Sequence, residues 1–183
     1  MPLISNKAKL IFQHIPKTGG ASLKNAIKDY DIDSFNVGSY HGKITRNLKT
    51  EYPNYHTVTI VRNSYTSLVS MYRFTCIRYL KINPTYSGFK DWLYTKAKGL
   101  GITQQYAYCK DNNSIIIDEI LRYDSLGNDI EILNLKLNIN LQIDKHKQHH
   151  YGKYDWKSYY DDESKSYAYR LCKDDIDYFN WIF

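Results

Sequence analysis

The stretch that most constrains what this chain can fold into is FQHIPKTGGASL, from Phe12 to Leu23. An apolar run, Leu10-Ile11-Phe12, leads into Ile15-Pro16, a Lys-Thr pair and two glycines, and Ala21-Ser22 then open what reads as a helix. A strand that turns through glycines directly into a helix aims backbone N–H groups at one point, which suits an anion. Gly19 and Gly20 carry no Cβ and let the backbone approach closely. Lys17 adds a mobile point charge, and Thr18 and Ser22 add hydroxyl donors. A nucleoside-triphosphatase loop would read G-x-x-x-x-G-K-[ST], with lysine after the last glycine. Here Lys17 precedes both glycines, so the stretch is a phosphate- or sulfate-binding loop of another kind. The plain alternative is an ordinary strand-turn-helix connection.

The same local order recurs. Tyr55 to Val61, YHTVTIV, is a β-branched run; Arg62-Asn63-Ser64 makes a polar turn, and a helical pattern follows through Leu68, Val69, Tyr72 and beyond. Strand, polar turn and helix, twice over, predict an α/β protein of three layers, a central parallel sheet flanked by helices. The periodicity predicts a strand over residues 8–14, a helix over 20–30, a polar loop over 31–40 and a short helix from His41-Gly42 to Leu48. A third strand is expected over Ser114 to Leu121, then a helix ending near Leu137, an irregular wet segment over 138–160, and helices over 161–171 and 173–182. No repeat or linker divides the 183 residues, so a single domain over 1–183 is expected.

Charge narrows the partner. Lys and Arg number 25 against 19 Asp and Glu, a net charge of +6 that favours an anionic partner. No run of five or six basic residues argues for nucleic acid. Cys76, Cys109 and Cys172 are odd in number and widely spaced, which fits reduced thiols better than a disulfide frame or a zinc site. No stretch reaches the ~18 apolar residues of a membrane span, and the first residues lack the pattern of a signal peptide. A cytoplasmic protein without membrane attachment is the expectation.

A second motif, IVRNSYTSLVSMYRF, runs from Ile60 to Phe74. Arg62 sits at the carboxyl end of a strand, where open α/β sheets bind ligands, and Ser70 follows eight residues later, about two helical turns on. Arginine can grip a phosphate through two parallel hydrogen bonds, and a serine hydroxyl can complete the site. Taken together, the two motifs resemble those of sulfotransferases that use 3′-phosphoadenosine 5′-phosphosulfate (PAPS), in the carbohydrate or heparan-sulfate 2-O-sulfotransferase-like form. HIPKTGGAS matches that family's 5′-phosphosulfate loop. VRNSYTSLVSMY matches its 3′-phosphate motif at Val61, Arg62, Asn63, Tyr65, Leu68, Val69, Ser70 and Tyr72. It departs at Ser64, usually proline, and at Ser67, usually a second arginine. Fainter matches are Gln104-Gln105-Tyr106, the ILRYDSLGNDIEIL segment and Asp175 to Phe179.

The resemblance implies a P-loop-like sulfotransferase fold and transfer of a sulfuryl group from PAPS to a hydroxyl, on a carbohydrate or other small molecule. It implies that Lys17, Thr18, Gly19, Gly20, Ala21 and Ser22 hold the 5′-phosphosulfate and Arg62 with Ser70 the 3′-phosphate. Sulfuryl transfer is an in-line displacement, so the leaving oxygen needs a positive charge, for which Lys17 is the candidate. The acceptor needs a general base. His41, between the two motifs, is the first choice, and His146, His149 or His150 in the late basic loop is the second, whereas His14 reads as structural. In that loop Lys147 or Lys153 would reach the 3′-phosphate or an acidic acceptor. No metal is expected, and neither nucleic acid nor a membrane is the expected partner. Competing readings are a small nucleotide-binding kinase, an inactive protein that keeps PAPS or nucleotide binding, and a nucleic-acid-binding protein.

Overall fold

The computed structural model describes residues 2–38, 42–143 and 154–183. The chain divides into two compact units, Met1–Val61 with Ala107–Gln148, and Arg62–Tyr106 with His149–Phe183.

The first unit is built on a five-stranded sheet. Strands β1 (Leu3–Ser5), β2 (Leu10–Gln13), β3 (Phe35–Asn36), β4 (His56–Val61) and, after a small hairpin of β5 (Lys110–Asp111) and β6 (Ser114–Ile115), β7 (Glu119–Arg122) give the order β3-β1-β2-β4-β7. The three strands β2, β4 and β7 run parallel, as expected for an α/β protein. β1 and β3 extend the sheet antiparallel on one side, an addition the chain pattern did not predict. β1 is only three residues long and joins β2 through a tight turn, too short for the period-2 pattern to register. The strand expected over Ser114 to Leu121 is broken: Ile116 to Asp118 leave the β6 hairpin before β7 begins.

All four β2 residues and five of six in β4 are buried, as in a sheet covered on both faces. On one face Leu10, Phe12, Val58, Ile60 and Leu121 pack with Leu23, Ala26 and Ile27 of helix α1 (Gly20–Tyr30) and Leu126, Ile130 and Leu133 of helix α6 (Leu126–Leu137). The α1 bounds coincide with the expected 20–30. The other face carries buried Gln13, Thr57 and Thr59, each hydrogen-bonded: Thr59 Oγ1 donates to the Gln13 carbonyl at 2.9 Å and Thr57 Oγ1 to that of Ile116 at 2.9 Å. The short helix expected from His41-Gly42 instead forms later, as α2 (Arg46–Glu51), because Thr45 supplies the N-cap by accepting from the Leu48 N–H.

The second unit is helical. Helix α3 (Ser64–Phe74) continues as a π-helix over Thr75–Leu80 and is followed by α4 (Tyr86–Thr95). Asn63 caps α3 by accepting from the Tyr65 N–H, so the turn keeps a stop signal without the usual proline at 64. A short helix, α5 (Gln105–Tyr108), lies near the expected position. Helices α7 (Asp162–Leu171) and α8 (Lys173–Phe179) close the chain, α7 opening on a capping box between Asp161 and Ser164. Their shared core includes Leu68, Tyr72, Phe89, Leu93, Tyr159, Ala168 and Ile176. Cys76, Cys109 and Cys172 are buried thiols. Among the described residues no helix is long and apolar enough to cross a membrane.

Candidate functional site

Because β2, β4 and β7 are parallel, their last residues, Gln13, Val61 and Arg122, end at one edge of the first unit's sheet. The loop between β2 and α1 leaves from that edge. Two of its residues are left-handed: Lys17 at φ +64° and Gly19 at φ +86°. A non-glycine residue there costs energy, and Lys17 is therefore held by the loop around it rather than by its own preference. Thr18, fully buried, provides part of that hold: its hydroxyl donates to the Ile15 carbonyl at 2.9 Å. The hydroxyl expected as a donor to an anion is thus directed into the loop itself.

Gly19 is the N-cap of α1, and it offers no side-chain cap to the helix; the first turn holds no acidic residue. The Ser22 N–H turns back to the Gly19 carbonyl at 3.1 Å. An uncapped helix start without a carboxylate keeps its positive end available to an external anion. The two glycines are required by neighbouring rings. A Cβ on Gly19 would lie 2.7 Å from Cδ2 of Tyr123, and one on Gly20 would lie 2.3 Å from Cδ2 of His14. His14 in turn stacks on Phe12, with ring centroids 6.1 Å apart. His14 and Tyr123 therefore shape the loop, one from beneath and one from the β7–α6 connection.

The end of β2 also anchors the segment that follows residue 41. Gln13 uses both ends of its buried amide: Nε2 donates to the Gly42 carbonyl at 3.0 Å, and Oε1 accepts from the Ile44 N–H. The chain next to His41 is thus tied to the strand that carries the Lys17 loop.

In the second unit, Arg62 lies two residues before α3. Its Nε donates to Thr66 Oγ1 at 3.0 Å, and that hydroxyl donates to the Asn63 carbonyl at 2.9 Å. Thr66 and Ser70 are four apart and share one stripe of the helix. Each is 9% exposed, against 0% for Ser64, Ser67, Leu68 and Val69, so this stripe is the most open part of the helix start after Arg62. Ser67, where a second arginine would usually stand, is packed inside with Oγ 3.5 Å from the Arg62 carbonyl.

The Arg62 backbone is gripped as well. Gln105, fully buried, accepts from the Arg62 N–H through Oε1 at 2.9 Å and donates through Nε2 to the Arg62 carbonyl at 2.8 Å. Asp175 holds Gln105: its two oxygens accept the backbone N–H of Gln105 at 2.8 Å and of Tyr106 at 2.7 Å. Burial pushes the Asp175 carboxyl up to about 6, against the pull of those two amides.

A family model described as the sulfotransferase family matches residues 2–181. The chain belongs to the sulfotransferase family. No curated protein and no solved structure matches it. The family, which includes heparan-sulfate 2-O-sulfotransferase-like members, makes this chain a sulfuryl-transferring enzyme.

Within the sulfotransferase, Lys17, Thr18, Gly19, Gly20, Ala21 and Ser22 come together as one loop and helix start. On the second unit Arg62 bonds to Thr66, and Ser70 lies one helical turn beyond Thr66. His41, His146, Lys147, His149, His150 and Lys153 lie outside the described residues. Four contributors escaped the sequence reading: Tyr123 against Gly19, Gln13 on residues 42–44, Thr66 on Arg62, and Gln105 with Asp175 behind Arg62. Three of these sit in matched segments whose purpose the matches did not reveal. Among the described residues no group of three or more His, Cys, Asp or Glu could hold a metal ion.

Proposed function

We propose that this sulfotransferase takes its sulfuryl group from PAPS and passes it to a hydroxyl on a carbohydrate or other small acceptor, with residues 1–183 acting as one domain. The observation that carries the reading is the helix start at Gly20. It is uncapped by any side chain, free of acids in its first turn, and preceded by left-handed Lys17 and Gly19. That donor set fits a 5′-phosphosulfate: oriented amides for the oxygens and one ammonium for the charge. Arg62 and Ser70, on one side with Thr66, suit the 3′-phosphate, which the guanidinium would meet through its terminal nitrogens. Lys147 would add a further charge there.

Bound PAPS supplies an activated sulfuryl group on a good leaving group. The chain's own part is to hold and to move protons. The Lys17 ammonium neutralises charge developing on the leaving oxygen, and the amides of Gly20 and Ala21 fix the equatorial oxygens. His41 takes the proton of the acceptor hydroxyl as it attacks. Next to His41 in the chain, Gly42 and Ile44 are tied by Gln13 to the end of β2, four residues before Lys17.

Thermal unfolding with three ligands tests this reading. 3′,5′-adenosine bisphosphate should raise the midpoint, whereas ATP with magnesium and a single-stranded oligonucleotide should not. Stabilisation by either of those two alone would replace the reading with the kinase or nucleic-acid alternative.

A further inference from the structure

We infer that Gln105 is a positioning residue for the 3′-phosphate site: it sets the backbone of Arg62 and is itself set by Asp175. The inference rests on the proposed reading of Arg62 as a phosphate ligand. Arg62 stands where the chain turns from strand to helix, so neither its N–H nor its carbonyl can enter a sheet ladder or the α3 ladder. Both are partly buried polar groups in need of partners. One side chain satisfies both, at 2.9 and 2.8 Å. The amide orientation follows from this pairing, since the reversed amide would set donor against donor and acceptor against acceptor.

Such a two-point bond fixes the position of the Arg62 Cα and the plane of its peptides. The bond from Nε to Thr66 then fixes the direction of the side chain. Gln105 can do this only because its own backbone is pinned. Asp175, 1% exposed, accepts the N–H groups of two consecutive residues, Gln105 and Tyr106, one on each oxygen. The result is a relay of hydrogen bonds from α8 through α5 to Arg62, all within the second unit. A buried carboxylate is costly, and Asp175 offsets that cost by accepting both amides, which an asparagine of the same volume cannot do. Its use makes sense where a binding group must be held to within a fraction of an ångström.

The test compares affinity for 3′,5′-adenosine bisphosphate with affinity for 5′-AMP, by calorimetry, in four proteins. They are the wild type, Arg62→Ala, Gln105→Met and the double variant. The ratio of the two affinities isolates the 3′-phosphate. Wild type should prefer the bisphosphate by about 10- to 100-fold, the range for charge-assisted hydrogen bonds. Gln105→Met, similar in volume but unable to grip the backbone, should cut that ratio by about fivefold or more, with 5′-AMP affinity within about twofold of wild type. The double variant should fall no lower than Arg62→Ala alone, because Gln105 acts through Arg62. If Arg62→Ala lowers the ratio and Gln105→Met does not, the inference fails and the reading of Arg62 stands. If Arg62→Ala leaves the ratio unchanged, the reading itself fails. Equal loss for both nucleotides in Gln105→Met would make Gln105 merely structural and overturn the inference. Should Gln105→Met not fold, Asp175→Asn gives the same decision: it leaves one of the two amides without an acceptor and should lower the ratio in the same direction.

Discussion

Replacing Gly19 by alanine should destabilise this sulfotransferase through two separable effects. The first is conformational: Gly19 sits at φ +86°, where a Cβ costs about 1–2 kcal/mol. The second is steric: the new Cβ would stand 2.7 and 3.0 Å from two carbons of the Tyr123 ring and 3.6 Å from Leu126. Overpacking of this kind costs about 1–3 kcal/mol. Alanine recovers about 0.4–1 kcal/mol from the stiffer unfolded chain, leaving a net loss of about 2–4 kcal/mol. At about 2–4 °C per kcal/mol for a chain of this length, the midpoint should fall by roughly 5–15 °C. Gly99 is the control: it is left-handed at φ +81°, and a Cβ added there would meet no heavy atom within 4 Å, so Gly99→Ala should show the conformational part alone. Gly127, with open space in the first turn of α6, should accept alanine with no loss. Urea unfolding followed by circular dichroism, without ligand, gives all three values. If Gly19→Ala costs no more than Gly99→Ala, Tyr123 does not pack on the loop and the account of its shape is wrong.

Other outcomes follow from the same geometry. Lys17→Ala and Arg62→Ala should each weaken 3′,5′-adenosine bisphosphate by about 10- to 100-fold, the loss of one charge-assisted contact; near-normal calorimetric affinity would reject their placement. His41→Ala should keep that affinity while lowering sulfuryl transfer by about 10²–10⁴-fold, and full turnover would shift the base to His146, His149 or His150. Asp175 gives a pH signature. Burial raises its carboxyl to about 6 and Asp174 adds to the rise, while the amides of Tyr106 and Gln105 oppose it. The folded state then holds the proton more tightly than the unfolded state. The associated stability is present below about pH 4 and is lost as pH rises through 6. Relative to Asp175→Asn, the wild type should lose about 2 kcal/mol between pH 4 and 7; parallel profiles in urea unfolding would refute the assignment.

The parts of this molecule legible in its sequence are those governed by local chemistry. The α1 helix, the Gly19 turn and the strand that became β4 follow from glycine placement and β-branched runs within a few residues. Short elements without a period were not legible: β1 and β3, of three and two residues, exist through pairing, β1 with β2 and β3 with β1. For the site, motif matching pointed to Lys17 and Arg62 but not to the hydrogen bonds that hold them. Thr18 offered a hydroxyl that proved to be directed at Ile15. Gln105 and Asp175 are separated from Arg62 by 43 and 113 positions, and only the fold could show that one buried amide satisfies a strand-to-helix corner. Gln13 performs the matching service for Gly42 and Ile44, again a tertiary bond that no local pattern encodes.

The proposed function requires a ligand phosphorylated at both the 3′ and 5′ positions of adenosine, with each phosphate adding to its affinity. Calorimetric titration of the wild type with 3′,5′-adenosine bisphosphate, 5′-AMP and 3′-AMP tests it most directly. The bisphosphate should bind at least about tenfold more tightly than either monophosphate, each of which lacks one of the two phosphates. Equal affinity for all three, or no binding of the bisphosphate, would contradict it.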